Sequence, residues 1–219
     1  MRENVIKAIK DKKIIAIVRG IYGENCLRLS QALLKGGIRL VEFTFDQSDP
    51  LGEEKTCESI AAVSGAFQGE LFCGAGTVLT VAQVVKAREA GARFLISPNI
   101  CREVIQATVS MDMVSIPGAF SPTEIEDAYR WGADFVKVFP ISGLGTEYIR
   151  AVRAPLGHIP LLAVGGVTLE NLGEFLEAGA SGVGLGGELI RKGLILSGQF
   201  DKITELAQTA VQQTERMRT

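Results

Sequence analysis

Two ionisable residues stand in runs that otherwise read as buried β-strands: Lys137 in FVKVFP, from Phe135 to Pro140, and Glu42 in LVEFTF, from Leu40 to Phe45. Side chains alternate across a strand, so Phe135, Lys137 and Phe139 share one side of their run, and Leu40, Glu42 and Thr44 share one side of theirs. If both sides face a common interior, an amine and a carboxylate look into one cavity. The plain reading of such a pair is a structural salt bridge, or a lysine whose stem carries its ammonium out to water. Lys137, however, comes just before Phe139 and Pro140, where the strand should end, and burial penalises the charged amine. A desolvated lysine keeps some neutral amine, which can attack a carbonyl carbon and form a Schiff base.

Three glycine-containing segments add a second kind of chemistry: GAGT (Gly74 to Thr77), VGGV (Val164 to Val167) and GLGG (Gly184 to Gly187). Each places glycines ahead of a helical run, where backbone N–H groups can point at an anion. Glycine pairs are common at strand ends, so position matters more than composition. The last two follow the seventh and eighth strand candidates, which makes Gly165, Gly166, Gly186 and Gly187 candidate phosphate-binding residues.

The elements that must hold these residues repeat with one cadence. Strand candidates lie at Ile14 to Arg19, Leu40 to Phe45, Leu71 to Thr77, Phe94 to Pro98, Met113 to Gly118, Phe135 to Pro140, Pro160 to Gly166 and Gly182 to Gly187, with amphipathic helical segments between them. Gly36, Gly91, Gly132 and Gly179 stand just past helical turns, where a left-handed C-cap favours glycine. Thr80, Ser121 and Thr168 precede helical runs, Thr80 with Gln83 and Ser121 with Glu124 at capping-box spacing. Eight βα units with strands apolar on both faces and no Pro/Ser-rich linker predict a single (β/α)8 TIM barrel over residues 1–219, with residues 1–12 as an extra N-terminal helix. An open doubly wound sheet is the alternative; it calls for a dinucleotide fingerprint after the first strand, and VRGIYGEN has the wrong glycine spacing. In a barrel, the loops at the C-terminal strand ends converge over the mouth, and function sits there.

Composition narrows the partners. The 219 residues are 47% hydrophobic, enough to bury a substantial core, and a formal net charge of −2 supplies no positive field for nucleic acid or anionic lipid. The four cysteines, Cys26, Cys57, Cys73 and Cys101, form no CxxC pair and suggest neither a zinc site nor a disulfide framework. MRENVIKAIKDKK is too interrupted by charge for a signal peptide, and no apolar run reaches the roughly 18 residues of a membrane span. A cytoplasmic protein acting on small molecules is expected. His158 in PLGHIP reads as a surface residue on the opposite barrel face, Trp131 as packing, and Glu53, Glu54 and Lys55 as a solvated first helical turn.

Taken in order, IIAIVRG, GGIRLVEFTF, GAGTVLT, AGARFLISPN, IPGAFSPTEI, ADFVKVFP and AVGGVTLENL resemble the pyruvate-forming class I aldolases that cleave 2-keto-3-deoxy-6-phosphogluconate and 4-hydroxy-2-oxoglutarate, over essentially the whole chain. The resemblance implies that Lys137 is the Schiff-base lysine and Glu42 the general acid/base. It also implies that Thr77, Pro98 and Phe139 line a pyruvate pocket, that Arg19 supplies a cation, and that Gly165 and Gly166 bind phosphate through their amides. A small 2-keto acid substrate, no metal, no cofactor beyond the covalent Schiff base, and a homotrimer are further implications. Three positions depart from the family pattern: Asp46 stands where many members carry an arginine, Val164 where a threonine precedes the glycine pair, and Gly187 where a serine follows strand eight. These departures leave the Schiff-base machinery whole and move the question to the anion-binding end. A phosphosugar isomerase or epimerase on the same barrel, or a ligand-binding barrel without turnover, are the rival readings.

Overall fold

The computed structural model describes residues 1–216; the last three residues of the expected domain, 217–219, lie outside the described residues. Nine parallel strands run in the order β5-β4-β3-β2-β1-β9-β8-β7-β6. They are β1 (Ile14–Val18), β2 (Leu40–Thr44), β3 (Phe72–Gly76), β4 (Phe94–Ile96), β5 (Val114–Ile116), β6 (Gly118–Ala119), β7 (Val136–Val138), β8 (Leu161–Val164) and β9 (Gly182–Leu185). β5 and β6 are two pieces of one sequence run, split at Pro117, which has no N–H to give to a ladder. β5 pairs with β4 and β6 pairs with β7, so both edges of the sheet arrive at the same run. Lys137 N donates to Pro117 O across that seam at 2.8 Å. The eight expected βα units therefore make a nearly closed barrel, and the open doubly wound sheet is set aside.

Two apolar clusters hold it. One, inside the barrel, gathers Ile15, Leu40, Phe94, Ile96, Ile116, Phe135 and Leu162 with Val5 and Ile9 of α1 (Arg2–Lys12). The leading helix thus plugs the N-terminal end, and an ion pair from Arg2 to Asp134 at 2.8 Å ties it down. The other cluster lies between the outward strand faces and the surrounding helices.

Local signals resolve individually. Gly91, Gly132 and Gly179 are left-handed at φ 101°, 105° and 102°. Gly36 is not: its φ is −75°, and the left-handed residue is Gly37 at 96°. Gly36 is required by packing instead, since a Cβ there would lie 2.3 Å from Cβ of Ala207 in α10 (Phe200–Arg216), which crosses α2 (Glu24–Lys35) at that point. Thr80 caps α4 (Val81–Glu89) by accepting from Gln83 N, and Ser121 forms a complete capping box with Glu124 at the start of α6 (Pro122–Arg130). Thr168 accepts from Asn171 N at 3.2 Å, but α8 (Leu172–Glu177) begins later, after Asn171 as its N-cap residue. No helix among the described residues is long and apolar enough to cross a membrane.

Candidate active site

The C-terminal strand ends enclose a cavity of about 740 Å³. Arg19, Glu42, Thr77, Pro98, Lys137, Phe139, Gly165, Gly166, Gly186 and Gly187, all singled out from the sequence, line it together. Strands β2 and β7 carry Glu42 and Lys137 inward, at 3% and 8% exposure. The Lys137 ammonium sits 4.2 Å from the centroid of the Phe139 ring, two residues along the same side of the run.

Electrostatics set the protonation of both groups. Burial pushes the Glu42 carboxyl up to about 7, with the opposing pull of the Lys137 and Arg19 charges too weak to hold it lower. Burial pushes the Lys137 amine down from the ordinary lysine value; Glu42 opposes the shift and Arg19 adds to it. Glu42 Oε2 is buried and has no hydrogen-bond partner among the described residues. The pair is therefore coupled through space rather than locked in an ion pair, which leaves both groups free to exchange protons with a third molecule.

The glycines divide by role. Gly74 and Gly76 of GAGT do not cradle an anion: a Cβ at Gly76 would lie 1.6 Å from Glu42 Oε1, and one at Gly74 would lie 2.3 Å from the Phe94 ring. They are small so that β2 and β4 can point a carboxyl and a ring into the barrel. Thr77, which follows, has φ 57°, a strained value for a β-branched residue, and it faces the cavity. Gly165 and Gly166, at φ 83° and 101°, let the end of β8 close on the next segment, since Cβ atoms there would come within 2.9 Å of Phe139 and 2.4 Å of Ser142. Their N–H groups donate to no turn or loop carbonyl among the described residues. Gly186 and Gly187 face open space, with no atom within 4 Å of a Cβ built at either position.

Asp46 does not project into the cavity. Its carboxylate accepts from Ser48 N at 3.0 Å and Ser48 Oγ at 2.6 Å, and these bonds hold its pKa below the usual range. The carboxylate therefore stays ionised, and its charge is felt by Arg19. Sequence reasoning missed Arg191 and Lys192, two cations that also line the cavity, along with Thr168, Ile17 and Ile190. The basic pair after GLGGELI, in the loop that leaves the C-terminal end of β9, was the available signal. Among the described residues no group of three or more His, Cys, Asp or Glu side chains is arranged to hold a metal ion.

Comparison with known proteins agrees with this arrangement. The family model for KDPG and KHG aldolase matches residues 5–206. The 2-dehydro-3-deoxy-6-phosphogalactonate aldolase of Escherichia coli is 39% identical over 181 residues, 82% of this chain and 85% of that one. A solved structure described as native KDPGal superposes with a TM-score of 0.84 at 34% identity, covering 94% of this chain and 95% of that one. The KDPG aldolase of Legionella pneumophila, solved with pyruvate captured as a covalent carbinolamine, superposes with a TM-score of 0.83 at 27% identity, covering 94% and 97%. This chain belongs to the KDPG and KHG aldolase family and is a class I aldolase, a lyase that breaks a carbon–carbon bond to release pyruvate and an aldehyde.

Proposed function

We propose that Lys137 is the Schiff-base nucleophile, that Glu42 carries the protons, and that the preferred substrate is a 2-keto-3-deoxy-6-phospho sugar acid of galacto configuration. The observation that carries the reading is the desolvated Lys137 amine sharing one cavity with a carboxyl whose pKa is pushed up to about 7. Lys137 Nζ attacks C2 of the keto acid to give a carbinolamine, which loses water to become a protonated iminium. The iminium draws in the electron pair of the C3–C4 bond. Glu42 accepts the C4 hydroxyl proton as that bond breaks, an aldehyde departs, and the enamine of pyruvate remains. Proton return to C3 and addition of one water release pyruvate and restore the lysine. A carboxyl that titrates near 7 can both take and give a proton at neutral pH. No metal or cofactor takes part in this scheme.

Arg19 faces the substrate carboxylate, and the free amides of Gly165 and Gly166 face the phosphate. The galacto preference rests on the phosphogalactonate aldolase relative and on Val164, which lines the cavity with methyl groups where many members present a threonine hydroxyl. 4-Hydroxy-2-oxoglutarate, which lacks the phosphate, is a second substrate with weaker binding. We place the enzyme in the cytoplasm, where its four free cysteines stay reduced.

Incubation with pyruvate, borohydride reduction and peptide mass analysis tests the nucleophile. A pyruvyl adduct confined to the Lys137 peptide and absent from Lys137→Ala is expected; no adduct, or one on another lysine, ends the assignment. The galacto preference is tested by comparing kcat/KM on the two epimeric 6-phospho acids.

A further inference from the structure

The opposite pole of the barrel carries a second concavity, of about 260 Å³, that the aldolase reaction does not use. Lys10 from the last turn of α1, Lys13 just ahead of β1, Arg153 and His158 from the end of α7 (Gly145–Leu156) and the turn after it, and Ser181 just ahead of β9 supply its polar lining. All lie at or near the N-terminal ends of strands, away from the cavity that holds Lys137. No acidic side chain takes part in the lining. Among the described residues, Lys10, Lys13 and Arg153 have no carboxylate ion-pair partner.

Two of the three cations have a plain structural role, since Lys10 and Arg153 sit in last helical turns, where positive charge complements the helix dipole. That role does not account for their convergence on one concavity or for how two of them are held. Lys13 is left-handed at φ 62°; its N–H donates to Ile9 O at 2.9 Å and its carbonyl accepts from Val183 N at 2.7 Å, pinning the backbone between α1 and β9. The Arg153 stem occupies a slot over Gly179, where a Cβ would come within 2.6 Å of Cδ and Nε. The His158 ring packs edge-on against Tyr129, with centroids 5.5 Å apart. Like charges gathered without counterions repel one another, and a compact dianion relieves that repulsion while offering oxygens for the arginine fork and the serine hydroxyl. We propose that this concavity is a second ligand site, which binds a phosphate dianion, free or as the phosphomonoester of a small molecule.

His158 is the protein's single histidine, so its imidazole proton resonances report this pocket and no other. The full-length protein is titrated with inorganic phosphate, and separately with glycerol 3-phosphate, at fixed pH and with ionic strength balanced by chloride. A saturable movement of the His158 resonance with half-saturation in the low-millimolar range is expected from at least one probe, and the tighter probe identifies the form bound. Arg153→Gln is expected to weaken that binding about tenfold or more through loss of a charge-assisted contact, while pyruvate release from substrate stays at the wild-type rate. Lys13→Gln should act in the same direction, which guards against a folding defect in the arginine variant; circular dichroism checks both. Movement with both probes that is linear and no larger than with chloride, or saturation that neither variant alters, overturns the proposal.

Discussion

At the scale of single residues, the site depends on what burial does to two protons. Glu42 is almost wholly buried with a pKa near 7, so the folded state keeps a proton that the unfolded state has released once pH passes about 4.5. The unfolded state then binds fewer protons, and stability falls as pH rises from about 4.5 through 7 and levels off above. The size of that loss is on the order of 3 kcal/mol, from roughly 2.5 pKa units at 1.36 kcal/mol each. Urea unfolding at pH 5 and pH 8 should therefore show a smaller fall for Glu42→Gln than for wild type. The same variant should still form the pyruvate adduct on Lys137 but lose on the order of 10²–10⁴ in kcat; near-normal turnover would remove Glu42 from its role. Gly187 permits an opposite kind of test. It has no left-handed backbone and no neighbour within 4 Å of a Cβ, so nothing in its surroundings forbids a side chain. Gly187→Ser adds a hydroxyl donor at the cavity wall and is expected to lower KM for the phosphorylated acid by roughly tenfold, the worth of one added hydrogen bond to a charged group, with stability unchanged. An equal gain on 4-hydroxy-2-oxoglutarate would show that the hydroxyl does not meet the phosphate.

At the scale of elements, the chemistry rests on strands that make room for one another. β3 pairs with β2 in register, Glu42 beside Gly74 and Thr44 beside Gly76. The glycines of β3 leave the space that the Glu42 side chain and the Phe94 ring fill. Gly76→Ala collides with the buried Glu42 side chain from its carboxyl back to Cγ, so that side chain must be displaced, at a packing loss of about 1–3 kcal/mol, typical of overpacking. Displacing the carboxyl should cost far more in rate than in stability. A fall in kcat of about a hundredfold or more with a modest drop in Tm is expected; unchanged kcat would mean that the carboxyl's position does not matter.

At the scale of the whole molecule, the barrel leaves apolar side chains uncovered near the mouth. Phe120 is 48% exposed and stacks on Tyr148, and Val81 and Leu79 are also exposed. Contact between copies would bury them, and the family resemblance implies a homotrimer. Sedimentation equilibrium is expected to give three times the 23.4 kDa chain mass, and Phe120→Asp should shift the population toward monomer. A wild-type protein sedimenting at the chain mass would end the trimer assignment.

Much of this is legible in the amino-acid sequence. Strand and helix order, the extra first helix and the capping residues Thr80 and Ser121 follow from period, composition and neighbours a few positions apart, which the chain encodes locally. The Lys137 and Glu42 positions stood out because an ionisable group in an apolar strand breaks a pattern that can be counted. Tertiary structure decided the rest. Gly36 serves α10, some 170 residues away, and not the end of its own helix; Gly76 serves Glu42 on the neighbouring strand and not an anion. Each of these depends on which atoms meet across a closed barrel. A contact of that kind has no signature within a few residues of either partner, and only packing of the whole chain selects it.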